Sequence, residues 1–269
     1  MIKIGMSTAT FFSKSQTEDA VGLIQSMGVE VCEIFLTTFS EYRREFIDLL
    51  LPRIGPGLEV HSIHTLNQQF EPELFNKVRR TREDAEVFFR ECAEAAVRLN
   101  ARSYTFHGQP RLKRLPYNID YKWLAKRLKE LDGILAGYEG SRCKIAYENV
   151  HWTFFNSPDF FRELKEYSDV EVCLDIKQAM QSKYPLDDYL EVMADRLVTV
   201  HLCDYREDGK LAVPGKGIFD FTGFFRKLIE LGYDGPLLME LYAGNYESFD
   251  EVKASYEYLK KCLTVAERG

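Results

Sequence analysis

Short apolar runs alternate along the chain with longer amphipathic segments, and these two patterns set the expected elements. Strand-like runs fall at Lys3–Ser7, Val29–Phe35, Leu58–His64, Ser103–His107, Lys144–Glu148, Val172–Asp175, Leu197–Cys203 and Leu237–Leu241. Helical spacing is clearest over Arg82–Leu99, where Ala85, Phe88, Phe89, Cys92, Ala96 and Leu99 recur at short helical intervals. Further helices are expected over Glu18–Met27, Tyr42–Leu51, Tyr121–Tyr138, Pro158–Tyr167, Asp187–Met193, Phe221–Leu231 and Phe249–Leu263. Ser157 is a plausible cap ahead of Pro158. Strands alternating with helices make parallel βαβ units, and eight such strands close into a barrel. An open doubly wound sheet would place a Gly-rich turn after its first strand. Here that strand runs into Thr8-Ala9-Thr10-Phe11, so the expectation is a single-domain (β/α)8 TIM barrel over residues 1–269.

Composition agrees. A chain of 269 residues, 45% hydrophobic and 29% charged, has enough apolar material for one large core. The net charge of −7 disfavours a nucleic-acid partner. No apolar run approaches the roughly 20 residues that span a bilayer, and the start Met-Ile-Lys-Ile-Gly-Met enters a strand without a signal-peptide layout. A cytoplasmic protein without membrane contact is the expectation. Cys32, Cys92, Cys143, Cys173, Cys203 and Cys262 are too far apart in sequence for a zinc knuckle or a thioredoxin motif, and are read as reduced and buried.

Active sites of such barrels lie at the C-terminal strand ends. The third to eighth strands end at or near His64, His107, Glu148, Asp175, His201 and Glu240, which takes three of the five histidines in the chain. Alternation sends Val198, Val200 and Leu202 toward the helices and Thr199, His201 and Cys203 into the barrel. The same argument turns Glu148, Asp175 and Glu240 inward while Tyr147, Leu174, Met239 and Leu241 face the helices. Taken singly, each of these polar residues reads as a cap, an ion-pair partner or a hydrogen-bonded core group. Together on consecutive strands they bring three carboxylates and an imidazole to one mouth. Their mutual repulsion and desolvation are relieved by one divalent cation, Mn²⁺, Mg²⁺, Co²⁺ or Zn²⁺.

The segments Ala146-Tyr-Glu-Asn149, Cys173-Leu-Asp-Ile-Lys-Gln-Ala179, Val200-His-Leu-Cys-Asp204, Val213-Pro-Gly-Lys-Gly-Ile-Phe-Asp-Phe221 and Leu237-Leu-Met-Glu240 occur in this order. In them the chain resembles the xylose isomerase-like TIM-barrel superfamily, which includes ketose 3-epimerases, inosose dehydratase and endonuclease IV. The resemblance runs from Lys3 to about Leu263. It implies a shared metal site made of Glu148, Asp175, His201 and Glu240, and a Pro-Gly-x-Gly loop before the seventh helix. It also implies a sugar or sugar phosphate isomerase or epimerase that moves a proton through an enediolate, with Glu148 and Glu240 as base and acid. A metal-dependent dehydratase of an inosose or keto-sugar is the alternative, a sugar-binding barrel without activity is a further one, and an endonuclease IV-like phosphodiesterase is the remote one. Many members carry a histidine three residues after the strand-6 aspartate, where this chain has Gln178. The stretch Arg206–Val213 also lacks the histidine of the nuclease's third zinc.

His64 and His107 match positions that hold a further zinc in the nuclease, and are read here as substrate hydrogen-bonding groups. Lys177 is a candidate for meeting a substrate carboxylate or phosphate, or else a solvated loop lysine, and Lys216 has the same two readings. Gln178 is placed among the substrate-binding residues with them. Glu33 shares a strand face with Val31 and Phe35 and is expected to point inward as a hydroxyl acceptor. Trp152, Phe154 and Phe155 suit an apolar wall beside a sugar, cover for the barrel rim, or the interface of a homo-oligomer. His151 is read as rim decoration. Strict alternation turns His61 toward the helix layer.

Overall fold

The computed structural model describes residues 2–66, 69–108, 119–153 and 156–269. Its strands in chain order begin with β1 (Ile4–Ser7), β2 (Val31–Leu36), β3 (Glu59–Thr65), β4 (Ser103–Phe106) and β5 (Lys144–Glu148). β6 (Glu171–Asp175) and β7 (Leu197–Leu202) follow, then a small antiparallel ribbon of β8 (Asp204–Tyr205) and β9 (Leu211–Ala212), then β10 (Leu237–Met239). All except the ribbon close into one parallel barrel in the order β1-β10-β7-β6-β5-β4-β3-β2. The helices are α1 (Thr17–Ser26), α2 (Arg44–Leu50), α3 (Arg79–Arg98), α4 (Tyr121–Ala136), α5 (Pro158–Lys165), α6 (Ile176–Ser182), α7 (Leu186–Met193), α8 (Phe221–Glu230) and α9 (Phe249–Ala266). The expected (β/α)8 barrel is therefore present. Ser157 does cap α5, accepting from the Phe160 N–H. The crossover between β6 and β7 carries two helices where the spacing predicted one. At seven residues, α6 is too short to show a helical period.

Strand alternation sorts side chains into two layers of opposite character. On β4, Tyr104 and Phe106 face the helices while Ser103 and Thr105 face the interior. Outside, aromatic rings pack edge to face or tilted, with Phe106 5.7 Å from Tyr147 and Tyr147 5.5 Å from Phe160. Inside, the side chains are largely polar and closed off from solvent, among them Ser7, Glu33, Ser62, Thr105 and Thr199.

His61 corrects the alternation argument. Its Nε2 lies 2.9 Å from the Thr199 hydroxyl, and β3 and β7 stand on opposite sides of the barrel, so the ring crosses the interior and does not face the helices. A β-bulge is the cause: Cys32 pairs with Val60 and Glu33 with Ser62, which leaves His61 as an extra residue. His61 and Ser62 can then both point inward.

The Pro-Gly-Lys-Gly segment wraps around one side chain. The Asp204 carboxylate accepts from the N–H groups of Tyr205, Gly215, Gly217 and Phe219 at 2.8–3.1 Å. A Cβ at Gly217 would fall 2.2 Å from Asp204 Oδ1, so only glycine fits there. Lys216 is exposed, as the solvated reading expected. The six cysteines are free and buried, and among the described residues no helix is long and apolar enough to cross a membrane.

Candidate metal centre

Four strand ends deliver the quartet. Glu148 closes β5, Asp175 closes β6, His201 lies on β7, and Glu240 follows β10. One ligand atom from each lies within 4.8 Å of all the others, and all four residues are buried. A divalent cation at about 2.1 Å from its ligands holds them no more than about 4.2 Å apart, and His201 Nδ1 already lies 3.5, 3.7 and 2.6 Å from oxygens of Glu148, Asp175 and Glu240. Among the described residues Glu148 Oε2 and His201 Nδ1 are buried without a hydrogen-bond partner, and Glu240 Oε2 between them has only ion-pair contacts, with His201 and Lys177. Unpaired buried polar atoms that converge on one point are what an ion would satisfy, so the donor set fits a divalent cation.

Asp175 and His201 are aimed by neighbours. Asp175 caps α6, its Oδ1 accepting from Gln178 N–H at 2.9 Å, which leaves Oδ2 turned toward His201 Nδ1 at 3.7 Å. Asn149 clamps the same residue from β5, accepting from Asp175 N–H at 2.7 Å and donating to its carbonyl at 3.1 Å. His201 Nε2 lies 3.3 Å from Glu33, so a proton on Nε2 leaves the Nδ1 lone pair facing Glu240 Oε2 at 2.6 Å. Glu33 has the inward orientation expected of it. The hydroxyls it accepts are the protein's own, from Ser7 (2.9 Å), Ser62 (2.8 Å) and Thr105 (2.7 Å). Burial would raise its pKa, but the imidazoles of His201 and His64 outweigh this and hold it well below the usual carboxylate range.

Beside the quartet stand His64 and His107, with their Nε2 atoms 2.8 Å apart. His107 Nε2 is also 3.4 Å from Glu148 Oε2, and the two histidines with Glu148 form a second close group of metal-ligating type. Glu71, which no sequence period marks, fixes this corner. It accepts from His107 N–H at 3.1 Å, from Thr65 at 2.9 Å and from Tyr104 at 2.6 Å.

Lys177 is not a solvated loop side chain. It is 2% exposed, with its ammonium bonded to Asp175 and 3.2 Å from Glu240. Burial would favour the neutral amine, yet Asp175 and Glu240 outweigh it and hold the lysine pKa well above its ordinary value. Lys177 in turn is the main cause that overrides burial and keeps Asp175 and Glu240 below the usual carboxylate range. Gln178 turns its side-chain oxygen to His151, accepting from the backbone N–H at 3.1 Å.

His64, His107, Glu148, Lys177, Gln178 and Glu240 form the floor of a cavity of about 290 Å³ whose walls include Phe12, Phe35, Trp152 and Tyr242. That is near the lower bound of about 300 Å³ for small-molecule sites. Phe12 and Tyr242 carried no sequence signal. Phe154 and Phe155 lie outside the described residues. A wider groove of about 910 Å³ opens at the opposite end of the barrel, around Lys144 and Glu171, away from the quartet.

The chain is 30% identical over 146 residues to the inosose dehydratase of Geobacillus kaustophilus (strain HTA426), a match spanning 46% of each protein. Its fold superposes on D-psicose 3-epimerase with D-tagatose from Clostridium cellulolyticum H10 with a TM-score of 0.79, at 14% identity, over 97% of this chain and 99% of that one. The IOLI protein with a binding zinc atom gives a TM-score of 0.76, at 16% identity, over 98% of both chains. At these identities the superpositions establish the fold. The family model for the xylose isomerase-like TIM barrel matches residues 21–262, and the chain belongs to that family.

Proposed function

We propose that the protein is a divalent-metal-dependent isomerase or epimerase of a small keto-sugar, free or phosphorylated. The observation that carries this reading is the quartet itself: two glutamates, Glu148 and Glu240, meet at one buried point on the floor of a small cavity. Glu148, Asp175, His201 and Glu240 would hold one Mn²⁺, Mg²⁺, Co²⁺ or Zn²⁺. The ion supplies Lewis acidity toward a carbonyl and its neighbouring hydroxyl.

The rest falls to the chain's own residues. One glutamate takes the proton from the C–H next to the carbonyl, giving an enediolate, and the other returns a proton from the opposite face. His64 and His107 are placed to hydrogen-bond sugar hydroxyls. Phe12, Phe35, Trp152 and Tyr242 supply apolar walls and keep bulk water from the intermediate. Dehydration of an inosose or keto-sugar is the second reading, favoured by the partial match to inosose dehydratase. It needs the same proton abstraction, followed by loss of water.

Incubation with a ketose panel and an inosose in D2O, with each of the four ions, separates these readings. Deuterium entering a new sugar supports isomerisation or epimerisation. Loss of water from the inosose moves the assignment to dehydratase. No exchange with any sugar under any of the ions overturns both.

A further inference from the structure

We propose that Lys177 is a built-in counter-ion of the metal centre, which holds Asp175 and Glu240 together in the metal-free protein and must be displaced when a divalent cation enters. The inference rests on the metal reading above. Its physical basis is which atoms the ammonium touches. They are Asp175 Oδ2 and Glu240 Oε2, the same two atoms that face His201 Nδ1 at 3.7 and 2.6 Å.

Asp175 Oδ1 already accepts from Gln178 N–H at the start of α6, which makes Oδ2 the freer oxygen for an ion. An incoming cation and Lys177 therefore compete for one set of lone pairs. Three carboxylates carry three negative charges; the ammonium in contact with Asp175 and Glu240 leaves two, and a divalent ion in its place leaves one. Without Lys177 the metal-free quartet would lose the ammonium that Asp175 and Glu240 share in a buried site, which is costly.

Two other roles for the lysine are weaker. A purely apolar spacer would not need an ammonium between carboxylates. An anchor for an anionic substrate would need a free ammonium, and this one is engaged on both sides. Its exit is the cavity it lines, where Tyr242's ring centroid is 5.5 Å from Nζ. Lys177 is in this sense a positioning residue that acts through the ligands.

Lys177→Met keeps much of the length and removes the charge. Mn²⁺ titration by calorimetry, with chelator competition, should show binding tighter by about tenfold or more, since a like charge and a competitor are both gone. In chelator, the melting temperature of the same variant should fall. Adding Glu240→Gln to Lys177→Met should lower it by less than the two single effects combined. Lys177→Gln serves the same cycle if the methionine variant does not fold.

In the unmutated protein, reductive methylation read by peptide mass spectrometry should find Lys177 protected without metal and reactive with Mn²⁺. Unchanged or weaker Mn²⁺ binding in the neutral variants overturns the competition, as does equal protection of Lys177 with and without metal. Additive effects in the metal-free cycle overturn the counter-ion. An unmutated protein that binds none of the four ions overturns the metal reading and the competition with it, while the metal-free cycle still decides the counter-ion.

Discussion

Glu33→Gln is the sharpest test of how the site is aimed. The side chain is closed off from solvent and accepts from three hydroxyls while facing the imidazoles of His64 and His201, each at 3.3 Å. Glutamine preserves the size but removes the anion, and its NH2 group faces donors where an acceptor stood. Removing one partner of a buried charged network costs about 3–5 kcal/mol. The three hydroxyls can rotate to accept, so the lower figure of about 3 kcal/mol is expected. A domain with about 5–15 kcal/mol of stability remains folded after that loss. The second effect is on the ion, because His201 loses the partner that fixes which nitrogen carries its proton. Loss of such a partner lowers metal affinity about 10–100-fold. Urea denaturation in chelator gives the first number, and Mn²⁺ titration of the folded variant gives the second. A variant within about 0.5 kcal/mol of the parent, with unchanged Mn²⁺ affinity, would show that Glu33 does not orient His201.

Asp175→Ala or His201→Ala should empty the metal site, and full occupancy by elemental analysis in either would mean the ligands lie elsewhere. Glu148→Gln and Glu240→Gln should each lower turnover by about 10²–10⁴-fold while losing less metal than Asp175→Ala; near-native turnover in a loaded variant would leave that glutamate as a ligand only. Supplied with zinc, the protein should not incise abasic-site DNA, since Gln178 replaces a ligand histidine; robust incision abolished by Glu148→Ala would overturn the sugar reading. Far from the site, burial pushes the Asp132 carboxyl up to about 6, above its unfolded value of about 3.9. The folded state therefore prefers the protonated acid, and stability falls as pH rises from about 4 through about 6. Asp132→Asn, which can still accept from Ile145 N–H, should be more stable by about 1–2 kcal/mol at pH 8, with the gain shrinking toward pH 4; a gain independent of pH would refute the cause.

The barrel and its quartet were legible because they rest on the most regular feature of the chain. Glu148, Asp175 and His201 belong to alternating strands, and Glu240 lies one residue past β10, so an inward direction follows from the apolar neighbours that must face the helices. His61 escaped that logic because a bulge changes the pairing of a strand without leaving a mark in its residue types. Glu71 lies in a 3-10 turn, Glu71–Phe75, whose spacing carries no period. Lys177 looks like any loop lysine until the fold brings Glu240, 63 positions away, to 3.2 Å from its ammonium. The aromatic walls at Phe12 and Tyr242 are likewise a product of tertiary packing, since neither residue belongs to a strand or to an amphipathic helix.

The two-layered character of the barrel bears on how such a chain changes its trade. Cohesion comes chiefly from the greasy shell between strands and helices, where Phe89, Tyr104, Phe106, Tyr147 and Phe160 interlock. The interior holds a hydrogen-bonded plug of serines, threonines, histidines and one glutamate. Mutations at the mouth leave that shell untouched, so a lineage can exchange a wall such as Phe12 or Trp152 for another without unmaking the vessel. Substitutions in the plug have no such freedom, because Ser7, Ser62 and Thr105 share a single carboxylate. Diversification within this architecture should accordingly be written in the rim, while the plug beneath it stays silent.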